Sequence, residues 1–184
     1  MIEGARLLIY ASCMARTSKI VLIGFMGSGK STIAASLAPK LGFDLCEMDA
    51  RIVEASGLPS IPAIFQEHGE TYFRALESKV AESLTNIHQV VISTGGGVIT
   101  NSENMGYLKH EGLVIYLKAT FATVCERIED ISNRPLFQDP SRALSLFTER
   151  TPIYESFADV TIETDGVSTD GLTRQIVSTL ENLL

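Results

Sequence analysis

The chain is poor in basic residues: its 15 lysines and arginines stand against 22 aspartates and glutamates, for a formal net charge of −7. Proteins that bind a nucleic-acid backbone need a broad basic face, so this balance argues against a nucleic-acid partner. The average still leaves room for a few cations gathered in one pocket. A small anionic ligand held in such a pocket is compatible with the acidic total.

Cysteines are few, and their spacing carries no motif. Cys13, Cys46 and Cys125 are an odd number without a C-x-x-C pair, which argues against a disulfide framework and against a zinc cluster. The three histidines likewise show no ligand spacing. Reduced thiols are typical of the cytoplasm, and we expect the protein to reside there.

Long hydrophobic runs are also absent. No apolar run approaches the roughly 18 residues that a membrane-spanning helix needs, so we expect neither a membrane anchor nor a membrane partner. The apolar segment 7–14 is short for a signal peptide and leads almost directly into a core strand. We therefore interpret residues 1–18 as a dispensable extension, with Met14 as a candidate for the true initiator.

Residues 19–184 have the pattern of a single α/β domain. With 45% hydrophobic and 20% charged residues, the composition is that of a compact globular protein. Apolar runs rich in β-branched residues predict five buried strands that alternate with helices: 19–25, 43–48, 89–93, 113–118 and 159–163. Such alternation predicts a three-layer αβα sandwich around a five-stranded parallel sheet. The polar segment 131–141, which holds two prolines, predicts a loop that can move.

The starts of the predicted helices follow from local chemistry. One helix, over 30–41, begins directly after a glycine-rich turn, and another covers 121–129. Ser60 can cap a third helix in which Pro62 occupies the first turn. Apolar residues then continue this helix with helical spacing.

The strongest motif lies between the first strand and the first helix. Residues 24–31, GFMGSGKS, fit G-x-x-x-x-G-K-[ST], and the strand-to-helix setting is the one that a phosphate-binding loop requires. Glycines let successive backbone N–H groups converge on phosphate oxygens at the positive end of a helix. Lys30 can then reach the β- and γ-phosphates, and Ser31 can ligate Mg²⁺. The motif predicts nucleotide binding, and the absence of N-K-x-D disfavours a GTP-binding switch.

Five further segments follow this phosphate loop in order. They are Met48-Asp49, HGETYFRALE at 68–77, TGGG at 94–97, NRPL at 133–136 and RTPIY at 150–154. Together with the loop, they resemble the shikimate kinases, a P-loop family similar to the nucleoside monophosphate kinases, over residues 19–184. The resemblance implies a P-loop kinase fold with a mobile lid at about 130–141 and substrate-binding helices over about 49–86. It also implies a monomer that transfers a phosphoryl group from ATP to the 3-hydroxyl of shikimate and releases ADP, in the chorismate pathway to aromatic amino acids.

The resemblance assigns catalysis to Lys30, Asp49 and Arg134. Asp49 lies just past the second predicted strand, where ligands of such folds bind, and a carboxylate there can orient the attacking hydroxyl. We expect Asp49 to cap a helix as well, since the two roles are compatible. Arg134, in the predicted lid, matches an arginine that offsets charge on the transferred group and helps to expel water. Because no activated nucleophile is found, direct in-line transfer is expected.

Sites for ATP and Mg²⁺ are implied in the same way. ATP would be held by Gly27, Ser28, Gly29, Lys30, Ser31, Thr32, Arg127 and Arg134. Arg127 matches an arginine that stacks on adenine, although capping of a helix C-terminus is its ordinary role. Ser31 would ligate Mg²⁺, with Glu47 in the outer shell. The family usually has aspartate at that position, so this chain departs from it by one methylene.

Two arginines are implied as ligands of the substrate carboxylate. Arg74 and Arg150 match them, and the parallel donors of a guanidinium suit the two oxygens of a carboxylate. Glu77 lies three residues after Arg74 on the same helix face and would hold its side chain. A plain surface ion pair is the alternative for these two residues.

A glycine triplet and two aromatic residues complete the implied substrate site. Gly95, Gly96 and Gly97 would let backbone amides approach the ligand closely, and a flexible turn is the alternative. Phe65 and Phe73 match aromatics that lie against the substrate ring, and core packing is their alternative.

Two other functions stay open at this point. A kinase for another small hydroxy acid such as gluconate would share the phosphate loop, and a panel of acceptors would distinguish it. A nucleotide-binding regulatory module without turnover is an alternative of a different class. Lys30, Asp49, Arg74, Arg134 and Arg150 are all present, which argues against such a module, because loss of turnover should have removed some of them.

Overall fold

The computed structural model describes residues 19–128 and 139–183, which contain one five-stranded sheet. Its strands are β1 (Lys19–Ile23), β2 (Asp44–Glu47), β3 (Val90–Ser93), β4 (Gly112–Lys118) and β5 (Val160–Glu163). All pairings are parallel, and the strand order is β2-β3-β1-β4-β5. The carboxyl end of the central strand β1 therefore lies beside those of β3 and β4.

Helices follow each strand, because parallel neighbours need a crossover between them. Within the described ranges they are α1 (Lys30–Leu41), α2 (Met48–Ser56), α3 (Ile61–Ser83), α4 (Ser102–Lys109), α5 (Phe121–Arg127), α6 (Pro140–Phe157) and α7 (Thr169–Leu183). A 3₁₀ turn, Val98–Thr100, precedes α4.

The sequence of β1 explains why helices lie on both faces of the sheet. All five of its residues, KIVLI, are buried, and alternate side chains of a strand point to opposite faces. Val21 and Ile23 pack in one apolar core with residues of α2 to α6, whereas Ile20 and Leu22 pack in a second core with α1 and α7. The predicted three-layer αβα sandwich with a five-stranded parallel sheet is confirmed.

Local chemistry sets the course of α3. Ser60 Oγ accepts a hydrogen bond from Ala63 N at 3.3 Å, and a proline occupies the first turn, both as predicted. Gly69 leaves the helical region, with φ at 78° and ψ at 177°. This break, which the apolar periodicity does not reveal, separates the start of α3 from the segment that carries Arg74 and Glu77.

The far end of α3 is held by Lys19, the first residue of β1. Its side chain is fully buried, and Nζ donates to Leu84 O at 3.0 Å, to Thr85 O at 2.9 Å and to Tyr107 O at 3.4 Å. Burial lowers the pKa of this ammonium group, and Glu111 partly offsets that effect. Carbonyls at a helix C-terminus are favourable partners for a cation. Lys19 therefore joins the start of the central strand to the end of α3.

Predicted strand and helix boundaries agree with the structure to within two residues, with one exception at α6. The loop predicted over 131–141 is wrong at its end, because α6 begins at Pro140. Asp139 caps this helix, since its Oδ1 accepts from Ser141 N at 3.0 Å and from Arg142 N at 3.2 Å. Residues 130–138 of the predicted lid, and the predicted extension 1–18, lie outside the described residues.

A membrane-spanning helix would need both length and an apolar surface. No helix in the part of the chain that the structure describes combines the length and the apolar surface that crossing a bilayer requires.

Candidate active site

A cleft of about 720 Å³ opens at the carboxyl end of the sheet. Ligands of parallel α/β sheets bind at this end, where loops and helix N-termini converge. The phosphate loop and the start of α1 contribute to the lining, together with Asp49, Thr94, Gly96, Glu126, Arg127, Val167, Ser168, Thr169 and Leu172. The residues that follow β1, β2 and β3 thus share one cavity.

The phosphate loop curls through three glycines with positive φ. Gly24, Gly27 and Gly29 have φ values of 149°, 78° and 96°, a region that residues with a Cβ rarely adopt. Helix α1 begins at Lys30, and its first residues line the cleft. The loop therefore offers a helix N-terminus and flexible backbone to an anionic ligand, as its motif predicts.

Lys30 lies against carbonyl oxygens of its own loop. The side chain is buried, and Nζ donates to Gly24 O at 2.7 Å and to Phe25 O at 3.0 Å. A bound nucleotide would exchange these partners for phosphate oxygens, which accept more strongly because they are charged. The geometry keeps the ammonium group where the loop would hold phosphates.

Two oxygens beside the start of α1 suit a magnesium ion. Ser31 Oγ donates to Glu47 Oε2 at 3.2 Å and lies 3.3 Å from Ser93 Oγ. Hydroxyl and carboxylate oxygens are the hard ligands that Mg²⁺ prefers, usually with several waters retained. Glu47 reaches Ser31 despite its extra methylene, so the residues present fit the ion. Ser93 was not identified from the sequence, because a lone serine at a strand end carries no motif.

Asp49 lines the cleft from the first turn of α2. The N-cap of that helix is Glu47, so the expectation that Asp49 caps it is wrong. A Cβ on Gly95 would lie only 2.8 Å from Asp49 Oδ1, closer than real side chains approach. Glycine at position 95 therefore allows the backbone after β3 to contact this carboxylate.

Arg74 is held between two carboxylates on α3. Nη1 donates to Glu77 Oε2 at 2.8 Å, while Nε and Nη2 donate to Glu70 Oε1 at 3.3 and 3.2 Å. The guanidinium carbon lies 5.2 Å from the centre of the Phe73 ring. A Cβ on Gly97 would lie 2.6 Å from Arg74 Nη1, so the glycine leaves room for the guanidinium. The Arg74–Glu77 pair was predicted, whereas the contact with Glu70 was not.

Glu77 is the buried member of this cluster, with only 2% of its side chain exposed. Burial raises the pKa of Glu77, the charge of Arg74 lowers it, and Asp49 raises it further, so that the net direction is upward. For Arg74, burial acts to lower the pKa, but the carboxylates of Glu77 and Glu70 outweigh burial and the pKa rises. A plain surface ion pair does not describe Arg74 and Glu77, because one partner is withdrawn from solvent.

Arg150 and Tyr154 reach the middle glycine of the triplet from α6. Arg150 Nη1 donates to Gly96 O at 3.3 Å, and Tyr154 Oη donates to the same oxygen. Both residues are buried, and Arg150 Nε has no hydrogen-bond partner among the described residues. Leaving a buried donor unpaired is unfavourable, and an anionic ligand would supply the missing acceptor.

Phe65 and Phe73, which were predicted to lie against the substrate ring, stack on each other with ring centroids 4.7 Å apart. Phe73 is buried in the core, as its alternative reading held, while Phe65 is 38% exposed. Neither ring lines the cleft beside the phosphate loop. Their contact with a substrate ring stays a prediction.

Arg127, the last residue of α5, joins two segments of the cleft. Its Nη1 donates to Ser28 O at 3.3 Å and to Thr164 Oγ1 at 3.0 Å, and Nη2 donates to Thr164 O at 2.7 Å. The guanidinium thus connects the phosphate loop to the residue after β5. Stacking of Arg127 on adenine stays a prediction. Arg134 lies outside the described residues.

Comparisons with known proteins agree with this geometry. The family model described as "Shikimate kinase" matches residues 26–181. A shikimate kinase from Geobacter metallireducens is 40% identical over 165 residues, which cover 88% of this chain and 91% of that protein. The structure of shikimate kinase from Acinetobacter baumannii in complex with shikimate has a TM-score of 0.85 and 34% identity, and covers 90% of this chain and 94% of that one.

The gluconate alternative receives less support from the same comparisons. A gluconokinase from Sinorhizobium meliloti 1021 has a TM-score of 0.57 at 17% identity, which shows a shared fold alone. A regulatory module without turnover is not favoured either, because the matching relatives are named as kinases. The phosphate loop, the glycine triplet with its polar neighbours, and the extent of the sequence match lead to one conclusion: the chain belongs to the shikimate kinase family of ATP-dependent enzymes.

Proposed function

We propose that the protein phosphorylates the 3-hydroxyl of shikimate with ATP by direct in-line transfer. One observation carries the assignment of the acceptor site: three consecutive glycines each lie beside a different polar side chain. Gly96 O accepts from Arg150 Nη1, and a Cβ on Gly95 or Gly97 would collide with Asp49 or Arg74, respectively. One carboxylate and two arginines around a single backbone turn suit a small acid that also presents a hydroxyl group.

The substrate carboxylate would be bound by Arg74 and Arg150. Arg150 supports this role because its Nε is buried and has no hydrogen-bond partner within residues 19–128 and 139–183. Arg74 supports it because Glu70 and Glu77 already hold its guanidinium in one orientation, which reduces the entropy lost on binding. A guanidinium also presents parallel donors to both oxygens of a carboxylate, which an ammonium group cannot do.

The triphosphate would lie on the phosphate loop. Backbone N–H groups of the loop and Lys30 would bind its oxygens, and Arg134 is assigned to the same phosphates by resemblance. With Ser31 as a ligand and Glu47 in the outer shell, Mg²⁺ would offset the negative charge of the phosphates. Arg127, whose guanidinium is fixed by its bonds to two segments, would offer a flat surface to adenine.

Transfer needs little covalent chemistry from the protein. The 3-hydroxyl oxygen forms a bond to the γ-phosphorus while the bond to the β,γ-bridging oxygen breaks, and ADP leaves. Asp49 accepts a hydrogen bond from the hydroxyl, directs its lone pair at phosphorus, and takes up the proton that is released. Lys30 holds the transferred group in place while charge redistributes.

We further propose that the enzyme acts as a monomer in the cytoplasm. Cys46 and Cys125 are free thiols, as is typical of a reducing compartment.

An acceptor-dependent assay tests the function directly. Purified protein is incubated with MgATP, and ADP is measured before and after shikimate is added, with the site of phosphorylation read by NMR. We expect ADP release to depend on shikimate and to match the 3-phosphate formed. A protein that is folded by circular dichroism but releases no ADP in response to shikimate would refute the proposal.

Two further acceptors test which chemical groups are recognised. Shikimate methyl ester keeps the hydroxyls but lacks the carboxylate charge, so its KM should rise strongly if Arg74 and Arg150 bind that group. Gluconate tests the alternative acceptor class. Turnover of gluconate at a higher kcat/KM than shikimate would replace the proposed substrate.

A further inference from the structure

Tyr154 lies one helical turn after Arg150 on α6 and is almost completely buried, with 1% of the residue exposed. Its ring stacks on that of Tyr116 in β4, with centroids 5.2 Å apart and an interplanar angle of 18°. Tyr154 Oη donates to Gly96 O, the same oxygen that accepts from Arg150 Nη1. Two buried donors therefore converge on one carbonyl of the glycine triplet.

Gly96 lies between these donors and the phosphate loop. A Cβ at this position would be 3.3 Å from Met26 N, 3.6 Å from Gly24 O and 3.7 Å from Tyr154 Oη. Gly96 also lines the cleft together with the loop. Because a glycine has no side chain to restrict its backbone, the orientation of this peptide depends on such outside contacts.

We infer that Tyr154 is a positioning residue for phosphoryl transfer: its hydroxyl fixes the Gly96 peptide and so aligns the acceptor site with the phosphate loop. The inference rests on the proposed function, since it concerns the alignment of the acceptor hydroxyl with the γ-phosphate. Tyr154 acts through Gly96 rather than on the reacting atoms. Small displacements of reacting groups lower rates strongly, so such a contact affects kcat more than binding.

The hydroxyl is suited to this task because it remains a donor. Burial raises the pKa of Tyr154, and the opposing charge of Arg150 does not reverse that direction. The Tyr154 ring stacks on Tyr116, which restricts its side-chain motion and so fixes the position of Oη.

A matched pair of variants tests the inference. Tyr154→Phe and Tyr116→Phe each remove one buried hydroxyl and keep the stacked rings, so we expect both proteins to fold, which urea unfolding checks. In Tyr154→Phe, kcat for shikimate should fall about tenfold, which corresponds to about 1.4 kcal/mol in the barrier. The KM values for ATP and shikimate should stay within about twofold, because neither binding site has lost a ligand group. In Tyr116→Phe, all three constants should stay within about twofold of the wild type.

A second measurement separates positioning from general loss of structure. Slow hydrolysis of ATP without shikimate does not use the acceptor site, so its rate should be the same in Tyr154→Phe and in the wild type. An unchanged kcat in Tyr154→Phe, an equal loss in Tyr116→Phe, or a parallel loss of ATP hydrolysis would each overturn the inference. A wild-type protein without shikimate-dependent turnover would instead overturn the proposed function, and the inference with it.

Discussion

Glu77 Oε2 accepts a hydrogen bond from Arg74 Nη1 at 2.8 Å, yet the two side chains differ sharply in exposure. That of Arg74 is 30% exposed and that of Glu77 only 2%. The orientation of a candidate substrate ligand is therefore set by a carboxylate that is withdrawn from water. Removing one partner of such a pair leaves the other charged in a poorly solvated site.

Shikimate binding should weaken in mildly acidic solution as Glu77 takes up a proton. Burial raises the pKa of Glu77, although Arg74 opposes this, and below that pKa the neutral carboxyl no longer holds Arg74 by charge. Because burial places the pKa of Glu77 above the usual glutamate value of about 4.3, the KM for shikimate should rise as the pH is lowered toward that value. In Glu77→Gln, KM should be high throughout and change little with pH. A wild-type KM that stays flat over this range would contradict the assigned role.

Replacement of Arg74 by lysine should weaken shikimate binding without unfolding the protein. Lysine keeps a positive charge beside Glu77 but loses the parallel donors of the guanidinium. We expect the KM for shikimate to rise about tenfold, with the KM for ATP unchanged. Arg174→Lys is the control, since Arg174 pairs with Asp170 on the surface at 3.2 Å. Equal KM values for shikimate in the two variants would show that Arg74 does not bind the substrate.

A methyl group at position 95 should impair the reaction. In Gly95→Ala, the new Cβ would meet Asp49 Oδ1 at 2.8 Å, so the carboxylate must move. Because a small displacement of a group that orients the attacking hydroxyl lowers the rate strongly, we expect kcat to fall on the order of 100-fold. Gly106→Ala is the matched control, because Gly106 lies within α4 and has nothing within 4 Å of an added Cβ. It should retain activity and gain about 0.5–1 kcal/mol of stability, measured by urea unfolding. Full activity in Gly95→Ala would show that Asp49 tolerates displacement.

Loss of the Lys30 side chain should remove most of the turnover. Lys30 is the buried cation of the phosphate loop, and its replacement by alanine should lower kcat about 100- to 1,000-fold. Lys40→Ala on the same helix is the control, since Lys40 forms a surface ion pair with Asp170 at 2.9 Å. Stopped assays with both substrates at saturation give the comparison. Similar rates for the two variants would show that Lys30 does not act on the transferred group.

Features that depend on residues close together in the sequence could be predicted from the sequence alone. The buried strand β1 and the phosphate loop are local patterns, and the structure has both where they were expected. The break at Gly69 was missed because the presence of a glycine in a helical pattern does not indicate which φ value it adopts. Ser93, near Ser31, was missed because their contact joins residues 62 positions apart.

The candidate substrate site shows the same division. Arg74 and Glu77 could be paired from their spacing on one helix, whereas the contact of Arg74 with Gly97 depends on how α3 packs against the turn after β3. Tyr154 was visible in the sequence only as part of a motif. Its bond to Gly96 required the packing of α6 across the sheet, which no local pattern encodes.

Lys19 ties the end of α3 to the start of β1, and the other end of β1 leads into the phosphate loop. Helix α3 carries Arg74 and the loop carries Lys30, so one five-residue strand connects the supports of both sites. The distance between bound shikimate and bound ATP is therefore set in part at the amino end of the sheet, opposite the end where both would bind. A change at Lys19 that left both pockets intact would slow the reaction without weakening the binding of either substrate. A binding assay alone would therefore not detect the effect of that change.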